Sequence, residues 1–333
     1  MFIVSTYGLA VLFCLITMLC WGSWANTQKL AAAQWRFELF YWDYVLGILL
    51  TALLLAGTLG STGAEGRPFL SDLAQADRAA LGSALWGGVL FNAANILLSA
   101  AIAIAGMAVA FPVGIGLALV IGVVVNYLQV PLGNAALLFA GVGLVLAAVV
   151  LNALAYQRTA PTGTAAGQGR KGLLLSIVAG ALMGFFYKYV AASMAPDFAR
   201  PAPGLLTPYT ALVLFAGGIF LSNLLFNTLL MYRPFTGEPT SPAAYFRGSA
   251  RDHLMGLLGG FVWMVGMSLS ILASEQAGPA ISYGLGQGAT VVAAIWGIFV
   301  WREFRGASSA TMRLLYAMLL CYVLGLAVII LAR

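Results

Sequence analysis

Charge is scarce in this chain. Asp, Glu, Lys and Arg make up 8% of 333 residues, and there are one histidine and three cysteines. So few ionisable groups leave little from which to build a catalytic acid/base pair or a metal cluster. Cys14, Cys20 and Cys321 lack metal-ligand spacing. All three fall inside apolar runs, where a thiol packs as a small apolar group and a disulfide framework is not expected. No glycine-rich loop ends in Lys-Ser or Lys-Thr, which excludes ATP hydrolysis at such a loop. One histidine (His253, at the edge of an apolar run and read as solvated), no carboxylate pair inside a run and no ligand cluster exclude an enzyme built on those groups. No cofactor, metal or nucleic-acid partner is implied.

Apolar residues are abundant, at 62% of the chain. A water-soluble domain cannot hide that much apolar surface, so the bilayer is the solvent. Ten candidate spans follow, roughly 4–25, 41–60, 82–104, 107–128, 134–155, 172–194, 208–231, 254–275, 277–301 and 312–332. Lipid offers backbone groups no partner, so the spans must be helices. The first run has no basic start and leads into Trp21-Gly22-Ser23-Trp24 rather than a small-residue cleavage site. It reads as a retained span rather than a signal peptide.

The net charge of +6 is unevenly placed. Eleven basic residues fall on one side of the spans: Lys29, Arg36, Arg158, Arg170, Lys171, Arg233, Arg247, Arg251, Arg302, Arg305 and Arg313. Four fall on the other, Arg67, Arg78, Arg200 and Arg333, and Lys188 lies within a span. By the positive-inside rule the eleven face the cytoplasm of a plasma-membrane protein, and both termini face outward.

The chain also repeats itself. Residues 85–116 align without gaps with 257–288. Leu85/Leu257, Gly87/Gly259, Gly88/Gly260, Leu97/Leu269, Gly106/Gly278, Gly114/Gly286 and Gly116/Gly288 are among the identities. The first repeat is 1–156, a Gly- and Thr-rich linker covers 157–171, and the second repeat is 172–333. An odd number of spans per half, five, inserts the second half upside down, the architecture of secondary transporters.

Polar side chains inside spans are costly, and they mark protein contacts or a watery path. Asn92 and Asn95 share a face of the third span. Tyr283 and Gln287 share a face of the ninth, among Gly284, Gly286 and Gly288, which admit a neighbour or a ligand to the backbone. Each amide reads equally as a solute ligand or as interhelical bonding. Trp21 and Trp24 near one end of the first span, and Tyr187 and Lys188 near the opposite end of the sixth, suit gates, stacking walls or the interfacial aromatic belt. Phe111-Pro112 suits a hinge. Asp43 and Glu275 border the apolar zone and are the carboxylates available for proton coupling.

Three strings carry a resemblance: Cys20 through Lys29 (CWGSWANTQK), Gly278 through Gly288 (GPAISYGLGQG) and Trp296 through Phe304 (WGIFVWREF). Together with the ten spans they resemble the drug/metabolite transporter superfamily, and within it bacterial relatives of the ureide permeases. They are also similar to the glucose/ribose porter and rhamnose symporter group. The resemblance implies a central cavity with Trp24, Asn92, Asn95, Lys188, Trp263, Tyr283 and Gln287 in or beside the path. It implies import of a small neutral polar solute, a sugar or a ureide or nucleobase, with a proton as co-substrate and both termini outside. An exporter of drug-like compounds or metabolites is the alternative within the superfamily. The orientation is tested by a C-terminal reporter active only in the cytoplasm. It is expected to stay dark, and a bright fusion reverses the topology.

Overall fold

A computed structural model describes the chain except Ala33, Gly106, 160–165, Thr236 and Glu303; at 103, 105, 107–109, 111, 112, 156, 159 and 166–169 only the backbone is described. The described residues form helices α1 (Tyr7–Ser23), α2 (Asn26–Leu30), α3 (Phe37–Gly57), α4 (Phe69–Gln75), α5 (Arg78–Ala105), α6 (Met107–Gln129) and α7 (Ala135–Thr159). The second half adds α8 (Ala166–Ser193), α9 (Pro208–Tyr232), α10 (Pro242–Tyr245), α11 (Ala250–Ala277), α12 (Pro279–Gly286), α13 (Ala289–Ile295) and α14 (Ser309–Ile330). A π-helical turn, Trp296–Val300, follows α13. Among the described residues nine helical stretches are long and apolar enough to cross a membrane, and a shorter apolar helix covers Val113–Gln129.

Start signals are local and readable. The Thr6 side chain accepts the Leu9 N–H ahead of α1, and Ser308 accepts that of Thr311 ahead of α14. Ser249 and Asp252 cap α11 reciprocally. Pro208 and Pro279 open α9 and α12, where a missing N–H costs nothing. Loop contacts sort the helix ends into two sets. Phe2 donates to the Leu59 carbonyl, Gly66 to that of Ala199 and the Tyr7 hydroxyl to that of Ile330, which gathers both termini at one end. At the other end the Ala32 N–H reaches Asp252 and the Lys171 ammonium lies over the Phe235 ring. We call this second end the basic side.

Glycine sets the packing. An added Cβ at Gly88 on α5 would lie 2.1 Å from the Phe215 carbonyl oxygen, and one at Gly218 on α9 would lie 2.0 Å from that of Leu85. The α3–α11 seam is built the same way. A Cβ at Gly260 would lie 2.0 Å from the Tyr44 carbonyl oxygen, and one at Gly47 would lie 2.3 Å from that of Leu257. Only hydrogen fits there, so each pair of backbones meets directly, as small residues allow in lipid. Around these seams α5 also packs on α8, α11 on α1, α6 on α8 and α12, and α7 on α14.

The ninth span departs from a single helix over 277–301. It breaks at Gln287–Gly288, where Gly288 donates to the Leu285 carbonyl and Val291 to that of Gly288, both at 2.9 Å. These are three-residue spacings that tighten and re-aim the chain. The glycines make room for the neighbour: a Cβ at Gly286 would lie 2.8 Å from the Trp21 ring, and one at Gly288 would lie 2.6 Å from the Met18 sulfur.

Gly88→Ala and Gly260→Ala are each expected to lower unfolding free energy by about 1–3 kcal/mol. Gly8→Ala and Gly143→Ala, with nothing within 4 Å, are expected to leave it unchanged or raise it. Thermal unfolding of the purified variants checks this, and equal melting points in both pairs would refute it.

Candidate functional site

A cavity of about 830 Å³ enters from the basic side, where its lining includes Lys29, Arg36, Phe235, Gly237 and Trp301. It runs inward to Trp21, Phe91, Met183, Phe186 and Trp263. Phe91 and Trp263 lie at the middle of α5 and α11, so the cavity ends at mid-depth. The floor is an aromatic stack. Trp263 lies parallel to Trp21 with centroids 5.8 Å apart and to Phe215 at 6.1 Å, with Phe91 tilted against it at 4.4 Å. The Trp21 indole N–H donates to the Trp263 carbonyl, which ties α1 to α11 at the floor.

Two amides face this floor. Asn95 and Gln287 line the cavity and are 7% and 8% exposed. Asn95 gives its amide nitrogen to the Tyr41 hydroxyl at 3.0 Å. The helix break puts Gln287 on the wall, and among the described residues no hydrogen bond engages its side chain. Of the other residues read as lying in the path, Trp24 and Trp263 line the cavity, whereas Asn92, Lys188 and Tyr283 do not. Asn92 is fully buried against Tyr41, Ser222 and Ile219. Tyr283 is fully buried, its hydroxyl donating to the Ala118 and Met183 carbonyls. Lys188 is half-buried on α8.

Among the gating and coupling candidates, Trp21 is in the floor, and the Phe111 side chain lies outside the described residues. Tyr187 belongs to a buried hydroxyl cluster on the far side of the floor. It contacts Ser270 Oγ at 3.1 Å and donates to Ser282 Oγ at 3.4 Å, and the Cys14 thiol donates to the same Ser282 Oγ at 3.6 Å. This joins α1, α8, α11 and α12 where the cavity stops. Glu275 accepts the Phe198 N–H at 2.7 Å and pins a loop over that end.

Asp43 lies outside the cavity, at the α3–α11 seam and 2% exposed. His253 donates from Nδ1 to its Oδ2 at 2.9 Å, and the Tyr245 hydroxyl donates to its Oδ1. Burial, and then the bond to Asp43, raise the Tyr245 phenol above its usual value, which keeps it a neutral donor. The Trp35 ring meets His253 edge-on at 5.3 Å. His253 is therefore a partner of a buried carboxylate rather than a solvated side chain.

Sequence reading missed Arg36, Glu38, Phe91 and Asn152 as cavity residues. Arg36 pairs bidentately with Glu38, Nη2 to Oε1 at 2.7 Å and Nε to Oε2 at 3.2 Å. The signal lay in the start of α3, which begins at Phe37 rather than at 41 and so brings Glu38 into the helix. Lys29 lies over the Trp301 ring at 4.8 Å, and the Trp301 indole N–H donates to Asn26 Oδ1.

Membrane-crossing helices around a cavity that opens on one side and is sealed at mid-depth define a membrane transport protein. A family model described as ureide permease matches residues 40–166 and 167–332. The chain belongs to the ureide permease family, and as a permease-family member it is a transporter and not an enzyme. It is 24% identical to Ureide permease 1 of Arabidopsis thaliana, covering 99% of this chain and 98% of that one. Ureide permease 5 of the same plant is 24% identical over 96% of this chain and 93% of its own. Probable ureide permease A3 of Vigna unguiculata is 31% identical over 45% of this chain. A solved crystal structure aligns over 97% of this chain and 96% of its own with a TM-score of 0.58 at 18% identity, a likeness of fold alone.

Removing a partner from the buried Asp43 carboxylate is expected to cost about 1–3 kcal/mol. His253→Leu and Tyr245→Phe should each lower the melting temperature, by smaller steps together than their sum because they share one acceptor. Additive or absent losses would show that the three groups do not act as a unit.

Proposed function

We propose that this protein imports a small neutral polar solute, best matched by a ureide or nucleobase and next by a sugar, by alternating access. The observation that carries this reading is the Gln287 amide, which lines the same cavity as Asn95 and the aromatic floor in a chain whose relatives are named ureide permeases. A ureide presents N–H donors and carbonyl acceptors on a nearly flat frame. Amides meet the first, and the Trp263, Trp21 and Phe91 rings meet the second.

The mechanism rests on ten spans, counting α6, in two inverted halves of a drug/metabolite transporter fold. The seams support the inversion. Leu85 and Gly88 meet α9 as Leu257 and Gly260 meet α3, so the repeated residues of each half make equivalent contacts with the other half. The distribution of basic residues favours the cavity side as cytoplasmic, in a plasma membrane with both termini outside. On this reading the described conformation is open to the cytoplasm. It is closed outside by the aromatic floor and the Tyr187 cluster, and movement of the seam-locked helix pairs against one another exchanges this state for one open outside. For a coupling proton the candidates are Asp43 with His253, Glu275, and Glu38, which is the carboxylate that lines the cavity. Export of drug-like compounds is the second reading, favoured by the extent of aromatic floor.

A thermal-shift screen of ureides, nucleobases, sugars and lipophilic cations tests it, since a ligand that binds the folded state raises its melting temperature. A shift with a ureide that weakens about tenfold in Gln287→Ala and in Asn95→Ala is expected. Shifts with lipophilic cations alone would replace import by export.

A further inference from the structure

The cavity shows one polar group whose orientation is dictated from outside it. Asn92 donates its amide nitrogen to Ser222 Oγ at 2.9 Å and to the Ile219 carbonyl at 3.3 Å. A backbone carbonyl only accepts, so a flipped Asn92 would set oxygen against oxygen. Ser222 spends its one proton on the Gly218 and Ile219 carbonyls, at 2.7 and 3.0 Å, and so accepts from Asn92. The Asn92 oxygen therefore faces the Tyr41 hydroxyl, 2.9 Å away, and that hydroxyl must donate to it. With its proton committed, Tyr41 accepts from the second amide, Asn95, at 3.0 Å. Asn95 thereby turns its nitrogen to Tyr41, and its carbonyl oxygen is the atom left for the cavity it lines. Tyr41 and Asn92 are fully buried, so water does not compete for the relay.

We infer that Tyr41 and Asn92 are positioning residues that fix Asn95 as a hydrogen-bond acceptor, so that the site selects solutes bringing an N–H donor to that point. This rests on the reading of the cavity as a ureide site and adds the polarity of one contact. A solute with its nitrogens blocked leaves the Asn95 oxygen unpaired in a dry wall. Gln287, which no relay orients, offers either end of its amide to the rest of the solute.

The test compares hydantoin, a cyclic ureide, with 1,3-dimethylhydantoin, which keeps the ring and carbonyls and loses both N–H groups. Binding to the purified full chain is measured by thermal-shift titration. The wild type is expected to bind the dimethyl compound at least about tenfold more weakly. Tyr41→Phe removes the hydroxyl that holds the Asn95 nitrogen, while Asn92 stays held by Ser222 and Ile219, and the ratio is expected to fall below about threefold as the Asn95 amide becomes free to turn. Adding Asn95→Asp to Tyr41→Phe, which presents an acceptor whichever way it turns, is expected to restore the ratio. Should Tyr41→Phe fold poorly, Asn95→Leu removes the acceptor while leaving Tyr41 bonded to Asn92, and must bring the ratio to about one. A loss that weakens both compounds equally, or an unchanged ratio in Tyr41→Phe, overturns the inference. If hydantoin does not bind the wild type, the ureide reading fails by itself. The same ratio taken on a sugar and its O-methyl ether then decides the polarity of Asn95, and binding by neither series overturns both.

Discussion

Backbone meets backbone at Gly47, Gly88, Gly218 and Gly260, and the helices that line the cavity are arranged around those contacts. In hydrocarbon no hydrophobic force pulls apolar helices together, so close approach is what holds them. Gly88 and Gly218 lock α5 to α9, and Gly47 and Gly260 lock α11 to α3. Each seam is a tight pair with a cavity-lining face, Asn95 on α5 and Trp263 on α11. The site is thus carried on two locked pairs rather than on loops, which is the support that a binding residue needs to hold its geometry.

Buried polarity is distributed by depth. Toward the basic side the cavity wall is charged but paired, as Arg36 with Glu38. At mid-depth it is amide and aromatic. Beyond the floor the polar groups turn to one another, Tyr187, Ser270 and Ser282 forming a closed hydroxyl cluster. The gradient follows from the cost of isolating a polar group from water. Charges stay where water reaches, and hydroxyls that lie deeper find partners within the protein.

Much of the fold was legible in the sequence, because length and hydropathy alone place the apolar spans. Gly88 and Gly260 stand out in the sequence because a backbone seam tolerates only glycine. Asn95 and Gln287 were visible as amides in the middle of apolar runs. Phe91 was not, since one more aromatic in an apolar span gives no contrast. Tyr283 shows the opposite case, a residue read as lying in the path that the cavity lining does not include. It shares a helix face with Gln287 by spacing, and the Gln287 N–H still donates to the Tyr283 carbonyl at 3.1 Å, but the phenol is fully buried, its hydroxyl donating to the Ala118 and Met183 carbonyls. The pairing of His253 with Asp43 joins residues 210 positions apart, a distance over which local pattern is silent.

The break at Gln287 changes what holding a solute means. α12 packs on α11 and α6 as well as on α1, whereas α13 packs mainly on α1. A ligand gripped by the side of a continuous rod would simply travel with it. Gripped at the joint between two short rods with different moorings, it acts at a fulcrum. On the proposed reading of Gln287 as a solute ligand, occupancy would be felt as torque between those moorings, and the amide would be placed to tell each end of the span where the other should be.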